Sequence, residues 1–394
     1  MGRTLYVAAG GGGDVIGATM LHAVVGSSDE PQIATFSWDR LLVDPVPGPR
    51  DPTEFDRLQA IGRYNYRVTA ATSTRPPAAS SLPRLARELP AALYLLDPRA
   101  GTVGLARQLG ELAEELQASS VCVVDIGGDI LARGDEKTLR SPLADSLVVA
   151  ALADHPLPVQ LVVAGVGLDG ELDPSYLLRR LAELGARTCG AVRREAVLPV
   201  AEVFRWHLSE ASGLLAAAAM AARGRAQMQA GRSVVELTEA ATLLHSLDLQ
   251  AVLSEALPAK ALRGATSLDE AQDALVALGA KSELEYERQK AARSELTDSV
   301  LGAEALVGAV DSLADEATSD GVDLLTLRRV AEALGLTAEG FAANLGSLRQ
   351  LRARQCSPPV WVVNAEAWPV ALRPLGHASY RQILRPPAGA GLST

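Results

Sequence analysis

Aromatic residues, cysteines and histidines are scarce in this chain of 394 residues. Only 4% of the residues are aromatic while Ala, Leu and Val dominate, which is typical of a helix-rich α/β protein. The cysteines Cys122, Cys189 and Cys356 are far apart and lack metal-ligand spacing, so we expect buried free thiols and a reducing, cytoplasmic compartment. Because the histidines do not gather near the loops described below, the sequence offers little support for a His-based metal site or a catalytic triad.

Positive charge and long apolar runs are also limited. The formal net charge of −10 opposes nonspecific binding of the whole chain to nucleic acid or to anionic membranes. No apolar run is long enough to span a membrane, and no basic, hydrophobic leader opens the sequence. We therefore expect neither a membrane segment nor a signal peptide.

The most distinctive stretch is a run of four glycines, Gly10, Gly11, Gly12 and Gly13. It lies between an apolar strand at residues 5–9 and a helix at residues 15–25, so backbone N–H groups and the positive end of the helix dipole are expected to bind an anion there. The run is neither a P-loop nor a dinucleotide fingerprint, because no Lys-Ser/Thr follows it and the third glycine of the fingerprint is missing. Asp14 adds a charge that suits a cation or an amine. A tight turn without a ligand is the alternative.

A proline-rich loop follows the second expected strand, at residues 32–37. Four prolines between residues 45 and 52 forbid regular structure, so we expect a stiff, ordered loop. Loops beside strand ends often carry function, and we expect Trp38, Asp44 and Arg50 to contact the substrate. A linker between domains is the alternative.

Further along, short apolar strands at residues 92–96, 120–125 and 159–164 alternate with helical segments. This alternation predicts an α/β fold with a Rossmann-like open, mostly parallel sheet and helices on both faces. In such sheets, ligands bind beyond the carboxyl ends of the strands.

An acidic loop follows the strand at residues 120–125. Carboxylates held close together need a cation or protonation, and hard oxygen ligands suit Mg²⁺ or Mn²⁺. The expected metal ligands are Asp14, Asp125, Asp129 and Glu136, and the expected substrate contacts of this loop are Gly127, Gly128 and Ser141. Ser141 and Pro142 also mark a helix start, with Ser141 as the N-cap. Asp145 is expected in the catalytic group, with a role at the helix dipole as the alternative.

A third loop with glycines and acids follows the strand at residues 159–164. Asp173, before Pro174, fits the N-cap of a helix at residues 175–184. Asp169 and Glu171 are less easily explained as caps, so we expect one of them to act as a general base.

The remaining chain is expected to be mostly helical. An alanine-rich helix is predicted at residues 201–229, with His207 as a structural histidine between apolar neighbours. The loss of acidic loops beyond residue 295 predicts an α/β domain at residues 1–294 and a mostly helical extension at residues 295–394.

Two helices of this extension resemble a helix-turn-helix, at residues 327–337 and 341–351, with Gly335 at the turn. Strands at residues 360–363 and 370–372 would make a wing. The acidic net charge makes nucleic acid binding the weaker interpretation and favours packing or a homo-oligomer contact through these helices.

The ordered set of loops resembles an uncharacterised prokaryotic family, domain of unknown function 1152, over about residues 4–290. The loops that carry the resemblance are Ala8 to Asp14, Trp38 to Arg50, Asp125 to Asp145 and Gly165 to Leu172. The resemblance implies one compact α/β unit but brings no established reaction or catalytic residue. A shorter likeness, confined to the Asp-x-Gly-Gly-Asp loop, is to D-glutamate cyclase-type enzymes.

We therefore hypothesise a metal-assisted transferase or hydrolase that acts on a small anionic metabolite, whether phosphorylated, a nucleotide or a carboxylate. The metal would polarise an oxygen or activate water. One alternative is a metal-independent cyclase or lyase that uses the carboxylates on an amino-acid-like substrate. The other is a ligand-sensing regulator whose C-terminal helices bind DNA or a partner.

Overall fold

The computed structural model describes residues 2–27, 29–229, 231–281 and 283–368. The strands in these residues are β1 (Arg3–Ala8), β2 (Gln32–Phe36), β3 (Phe55–Asp56), β4 (Gln59–Ile61), β5 (Asn65–Val68), β6 (Ser73–Thr74), β7 (Ala92–Leu96), β8 (Ala118–Ile126), β9 (Val159–Ala164), β10 (Arg187–Ala191), β11 (Gly224–Met228), β12 (Ser233–Leu237), β13 (Leu243–Asp248), β14 (Leu324–Thr326), β15 (Cys356–Ser357) and β16 (Val360–Val362). The helices are α1 (Asp14–Val25), α2 (Leu82–Glu88), α3 (Gly101–Glu115), α4 (Pro142–Ala151), α5 (Pro174–Glu183), α6 (Arg194–Val197), α7 (Glu210–Ala219), α8 (Leu249–Glu255), α9 (Leu257–Leu262), α10 (Leu268–Ala277), α11 (Glu283–Ala291), α12 (Ala303–Ser319), α13 (Leu327–Ala333) and α14 (Ala338–Leu351).

A nine-stranded sheet organises the fold, with the strand order β10-β13-β9-β8-β1-β2-β7-β5-β4. The central strands β9, β8, β1, β2 and β7 are parallel, and antiparallel pairs extend both edges. This confirms the predicted α/β fold with a mostly parallel sheet. The chain moves outward from β1 to β7 and then returns to the other side of β1 at β8. The strand order therefore reverses between β1 and β8, and open parallel sheets bind ligands at such a reversal.

The central strands are buried on both faces. In β1, Leu5 and Val7 join one apolar core, while Tyr6 and Ala8 join the core on the other face. Helices α3 and α4 contribute to the first core, and α1 and α7 contribute to the second. A strand covered on both faces needs apolar residues at every position, which explains the continuous apolar runs in the sequence.

A second, five-stranded sheet crosses the boundary predicted at residue 294. Its order is β12-β11-β14-β16-β15, and Ala226 of β11 lies opposite Leu324 of β14 in a parallel pair. Leu324, Val360 and Trp368 are buried in the same core as α1 and α7. The segment after residue 294 is therefore joined to the rest through a sheet and a shared core, and the predicted mostly helical extension is not confirmed.

The helix pair predicted near the C-terminus is present as α13 and α14, with Gly335 at a φ of +66° between them. Val330, Phe341 and Leu348 bury their side chains in a third apolar core together with residues of α12. The pair thus has a packing role. The strand predicted at residues 370–372 lies outside the described residues.

The predicted helix at residues 201–229 is wrong. Helix α7 ends at Ala219, Ala221 adopts a φ of +67°, and the chain continues as β11. Strand β11 pairs with β12 on one side and with β14 on the other. This tertiary pairing outweighs the helix propensity of an alanine-rich segment, which is a weak preference for each residue.

The prediction of buried free thiols is correct for two of the three cysteines. Cys122 and Cys356 are buried free thiols, but Cys189 is exposed because it lies on β10, an edge strand. Among the helices in the described part of the chain, none is both long enough and apolar enough to cross a membrane.

Candidate functional site

A cavity opens where the strand order reverses, beyond the carboxyl ends of β1 and β8. Of the residues singled out from the sequence, its walls contain Gly10, Gly11, Gly12, Gly13, Asp14, Trp38, Asp125, Asp129, Ser141, Asp145, Asp169 and Glu171. The structure therefore brings the glycine run and both acidic loops together. Asp44, Arg50, Gly127, Gly128 and Glu136 are not part of its lining.

Three carboxylates form the centre of this site. Asp125 is the penultimate residue of β8, Asp129 lies in the turn that follows, and Asp145 lies in the first turn of α4. Each offers one oxygen, and these three oxygens lie within 4.8 Å of one another. Gly127 and Gly128, with φ values of +137° and +106°, allow the chain to fold back between Asp125 and Asp129.

These three carboxylates repel one another when all are ionised, so the group requires either a cation or protonation. Burial, followed by repulsion from neighbouring carboxylates, raises the pKa of Asp125, Asp129 and Asp145 well above the usual value. Within the described residues, the buried Oδ2 of Asp125 and Oδ1 of Asp145 have no hydrogen-bond partner. Since Mg²⁺ and Mn²⁺ prefer carboxylate oxygens, a divalent ion fits this donor set.

Asp14 and Asp169 line the same cavity as these three carboxylates. The Gly10 N–H donates to Oδ2 of Asp14 at 2.9 Å, and the Glu171 N–H donates to Oδ1 of Asp169 at 3.0 Å. Burial raises the pKa of both Asp14 and Asp169 to about 7. A Cβ atom at Gly127 would lie only 2.4 Å from Oδ2 of Asp169, so this glycine makes room for the carboxylate. A pKa near neutrality suits a group that transfers protons.

Glu171 ties the two acidic loops together. Its carboxylate accepts hydrogen bonds from the backbone N–H groups of Arg140 and Ser141, at 2.7 and 3.2 Å, and from the Ser141 hydroxyl. Ser141 occupies the N-cap position of α4 as predicted, but its side chain bonds Glu171 and does not cap the helix. Both oxygens of Glu171 therefore hold the segment that carries Asp145. By contrast, Oδ2 of Asp169 accepts no hydrogen bond from the described residues.

Crowding explains why the run between β1 and α1 is made of glycines. Gly11 has a φ of +139°, and a Cβ atom there would lie 3.0 Å from the Trp38 carbonyl oxygen. Added Cβ atoms at Gly12 and Gly13 would lie 2.8 Å from Oδ1 of Asp39 and 2.5 Å from the Ser209 hydroxyl oxygen. In the described part of the chain, the N–H groups of Gly11, Gly12 and Gly13 have no protein acceptor. Anion binding by this loop stays a prediction.

The proline-rich loop after β2 is organised by its own buried ion pair. Nε of Arg50 lies 3.0 Å from Oδ2 of Asp44, and Nη2 of Arg50 donates to the carbonyl groups of Val46, Pro47 and Gly48. Asp44 and Arg50 thus hold the loop in shape. Of the three loop residues predicted to contact a substrate, Trp38 alone lines the cavity.

Glu136 lies apart from the expected metal ligands. Its carboxylate accepts hydrogen bonds from the N–H groups of Arg133 and Gly134 and from the Tyr176 hydroxyl. These local donors turn the side chain away from Asp125 and Asp129, so the structure does not support Glu136 as a ligand. Gly127 and Gly128 do not line the cavity either. They contribute to the site by shaping the turn between Asp125 and Asp129.

The lining also contains residues that were not predicted as part of the site, among them the ionisable side chains of Arg40, His207, Glu210 and Arg328. Arg40 follows Trp38 closely and could have been found from its place in the same loop. Nδ1 of His207 accepts from the Ser209 N–H at 3.2 Å, Nε2 has no partner among the described residues, and burial lowers its pKa. Arg328 belongs to the segment after residue 294, and nothing near it in the sequence indicates a site.

The chain belongs to the family described as "Protein of unknown function (DUF1152)", whose model matches residues 5–291. This confirms the resemblance noted from the loops. No curated protein and no solved structure matches the chain. All the acidic loops lie inside the matched segment, whereas α12, α13 and α14 lie beyond it.

Proposed function

We propose that this protein is a metal-assisted enzyme that transfers or hydrolyses a group on a small anionic metabolite, with Mg²⁺ or Mn²⁺ bound by Asp125, Asp129 and Asp145. The observation that carries the proposal is the convergence of three carboxylate oxygens within 4.8 Å. In two of these side chains, a buried oxygen has no hydrogen-bond partner among the residues that the structure describes. Asp145 is thus proposed as a ligand in place of Glu136, and Asp14, which was also predicted as a ligand, is not one of the three converging carboxylates.

The other acidic residues have separate tasks in this proposal. The ion would polarise a substrate oxygen or lower the pKa of a bound water. Asp169 is the general base, since Oδ2 of its carboxylate has no hydrogen-bond partner in the described part of the chain and its pKa of about 7 lies near neutrality. Glu171 and Ser141 are positioning residues, because they hold the start of α4 and hence Asp145. Asp14 adds negative charge beside the ion.

The topology supports this location. The five parallel strands follow the order β7-β2-β1-β8-β9, which corresponds to the first five of the six strands of the dinucleotide-binding sheet and supports a Rossmann-like description. In those sheets the ligand lies where the order reverses, which here is the place where the cavity opens.

Isothermal titration with Mn²⁺ tests the proposal. We expect the native protein to bind Mn²⁺ and Asp129→Asn to lose that binding while it still unfolds cooperatively, at a temperature no lower than that of the metal-free native protein. Asp135→Asn is the matched control, because Asp135 is close in sequence but exposed and outside the cavity. If the native protein and Asp129→Asn bind Mn²⁺ equally well, Asp129 is not a metal ligand and the proposed metal site is contradicted.

A second candidate function is a metal-independent enzyme that performs acid–base chemistry on an amino-acid-like substrate. The observation in its favour is that Asp14 and Asp169, each with a pKa of about 7, present both protonated and ionised carboxyl groups near neutrality. In that case Mn²⁺ would bind neither the native protein nor its variants.

A further inference from the structure

The cavity has a strong excess of negative charge. Its lining contains the carboxylates of Asp14, Asp39, Asp125, Asp129, Asp145, Asp169, Glu171 and Glu210, and the guanidinium groups of Arg40 and Arg328. An anionic substrate would be repelled from such a lining unless cations contact it directly. The proposed divalent ion would supply two of the positive charges that an anionic substrate needs. In the lining of the cavity, the guanidinium groups of Arg40 and Arg328 can supply two more.

Arg328 is held in place and still has donors to offer. Its side chain is 10% exposed, its Nη1 lies 3.2 Å from Oε2 of Glu210, and its Nε lies 3.2 Å from Oε1 of Glu332. The other oxygen of Glu210 accepts from the Thr326 hydroxyl at 2.7 Å, which fixes this carboxylate. Within the described residues Nη2 of Arg328 donates to no acceptor, and a guanidinium group carries five N–H donors.

Arg40 is held more loosely. Its side chain is 52% exposed, and its nearest carboxylate oxygen is Oε1 of Glu287 at 3.7 Å. Glu287 is itself engaged by Nε1 of Trp38 and by the N–H of Gly48. Arg40 can therefore turn toward a ligand at the cost of one weak, partly solvated contact.

We propose that Arg328 and Arg40 form a phosphate subsite of this cavity, so that the substrate is a phosphorylated metabolite whose phosphoryl group contacts the metal and both guanidinium groups. This inference rests on the proposed metal-assisted function. The planar fork of arginine matches phosphate oxygens, and two such groups with a divalent ion suit a doubly charged anion better than a single carboxylate. Because Arg328 lies beyond the family-matched residues 5–291, the segment that follows them contributes to substrate recognition.

Titration of inorganic phosphate into the full-length protein in the presence of Mg²⁺ tests the subsite. Loss of hydrogen bonds to a charged group should weaken phosphate binding by Arg328→Gln about 10- to 100-fold. Arg329→Gln is the matched control, since Arg329 is the next residue, donates to Gln227 at 3.0 Å and does not line the cavity. Arg328→Gln alone leaves Glu210 as a buried, unpaired charge and can impair folding. The double variant Glu210→Gln/Arg328→Gln removes both charges of this pair, and it should show the same loss of phosphate binding.

Titration of Mn²⁺ alone into the same proteins separates the two proposals. The subsite is supported if the native protein, Arg328→Gln and Arg329→Gln all bind Mn²⁺, while phosphate binding is weakened in Arg328→Gln and kept in Arg329→Gln. Mn²⁺ binding together with equal phosphate affinity in native protein and Arg328→Gln overturns the subsite and leaves the metal site standing. Succinate serves as a dicarboxylate probe in the same titrations. If Arg328→Gln weakens succinate binding but leaves phosphate binding unchanged, the assignment of the subsite to phosphate is overturned. Absence of Mn²⁺ binding by the native protein overturns the metal-assisted function, and with it this inference.

Discussion

Replacing Asp125 with asparagine should make the metal-free protein more stable, although it removes a proposed metal ligand. Asp125 is 1% exposed, and its Oδ2 has no hydrogen-bond partner among the described residues. Asparagine has nearly the same shape and keeps one oxygen as an acceptor. The substitution therefore removes charge from the three carboxylates with little change in packing.

The expected gain follows from the distance between the carboxylates. At the 4.8 Å limit of their separation, two ionised carboxylates repel each other by about 3 kcal/mol at an effective dielectric constant of about 20. Protonation limits this penalty at low pH, because holding a proton at pH 5 on a group with an ordinary pKa of 3.8 costs only about 1.5 kcal/mol. We expect Asp125→Asn to raise the free energy of unfolding by about 3 kcal/mol at pH 8 and about 1 kcal/mol at pH 5.

The sign follows from proton linkage. Because burial raises the pKa of these carboxyls in the folded protein, the folded state holds more protons than the unfolded chain above about pH 4. The free energy of unfolding of the native protein therefore falls as the pH rises toward the folded-state pKa values. In Asp125→Asn the free energy of unfolding should decrease less with pH, because one of the carboxyl groups with a raised pKa is absent.

Thermal unfolding in the presence of a chelator measures the effect. For a chain of this size the gain corresponds to a rise in Tm of about 4 °C at pH 8 and about 1 °C at pH 5. The exposed control Asp135→Asn should leave the Tm unchanged, and added Mn²⁺ should stabilise the native protein but not Asp125→Asn. A lower Tm for Asp125→Asn at pH 8, or the same gain at both pH values, would refute the reasoning.

Three further predictions follow from the same structure. Gly11→Ala should lower the free energy of unfolding by about 1–3 kcal/mol, because of its φ of +139° and the Trp38 carbonyl 3.0 Å from the new Cβ. In a thermal melt Gly110→Ala, with open space in α3, should be neutral or slightly stabilising; equal losses would contradict the crowding argument. A chain ending at residue 298 should be insoluble or lack a cooperative unfolding transition, since it loses β14 and β16; a soluble, cooperatively unfolding chain would restore the predicted boundary. The affinity for Mn²⁺ should rise between about pH 5 and pH 8 with release of protons, because Asp14 and Asp169 titrate near 7, and titrations in buffers of different ionisation enthalpy should detect the protons; a pH-independent affinity without proton release would exclude this coupling.

Much of the sheet could be predicted because its strands are continuous apolar runs. The predicted strands at residues 92–96 and 159–164 coincide with β7 and β9, since burial on both faces leaves a signal that each segment carries by itself. Strand β11 carries no such signal. Its identity depends on pairing with β14, which lies far away in the chain, so the local alanine-rich composition favoured a helix.

The candidate site was partly predictable for a similar reason. Asp125 lies near the carboxyl end of β8, Asp129 follows β8, and Asp169 follows the parallel strand β9. The carboxyl ends of parallel strands meet at one edge of a sheet. Side-chain direction was not predictable, because Glu136 is turned aside by the N–H groups of Arg133 and Gly134. Arg328 reaches the cavity only through the second sheet and α13, a tertiary arrangement without a local sequence pattern.

Anomalous diffraction from crystals of the full-length protein soaked in Mn²⁺ tests the metal site most directly. We expect a manganese peak among Asp125, Asp129 and Asp145, at about 2 Å from one oxygen of each carboxylate. No peak at these carboxylates, or a peak held by other residues, would contradict the account.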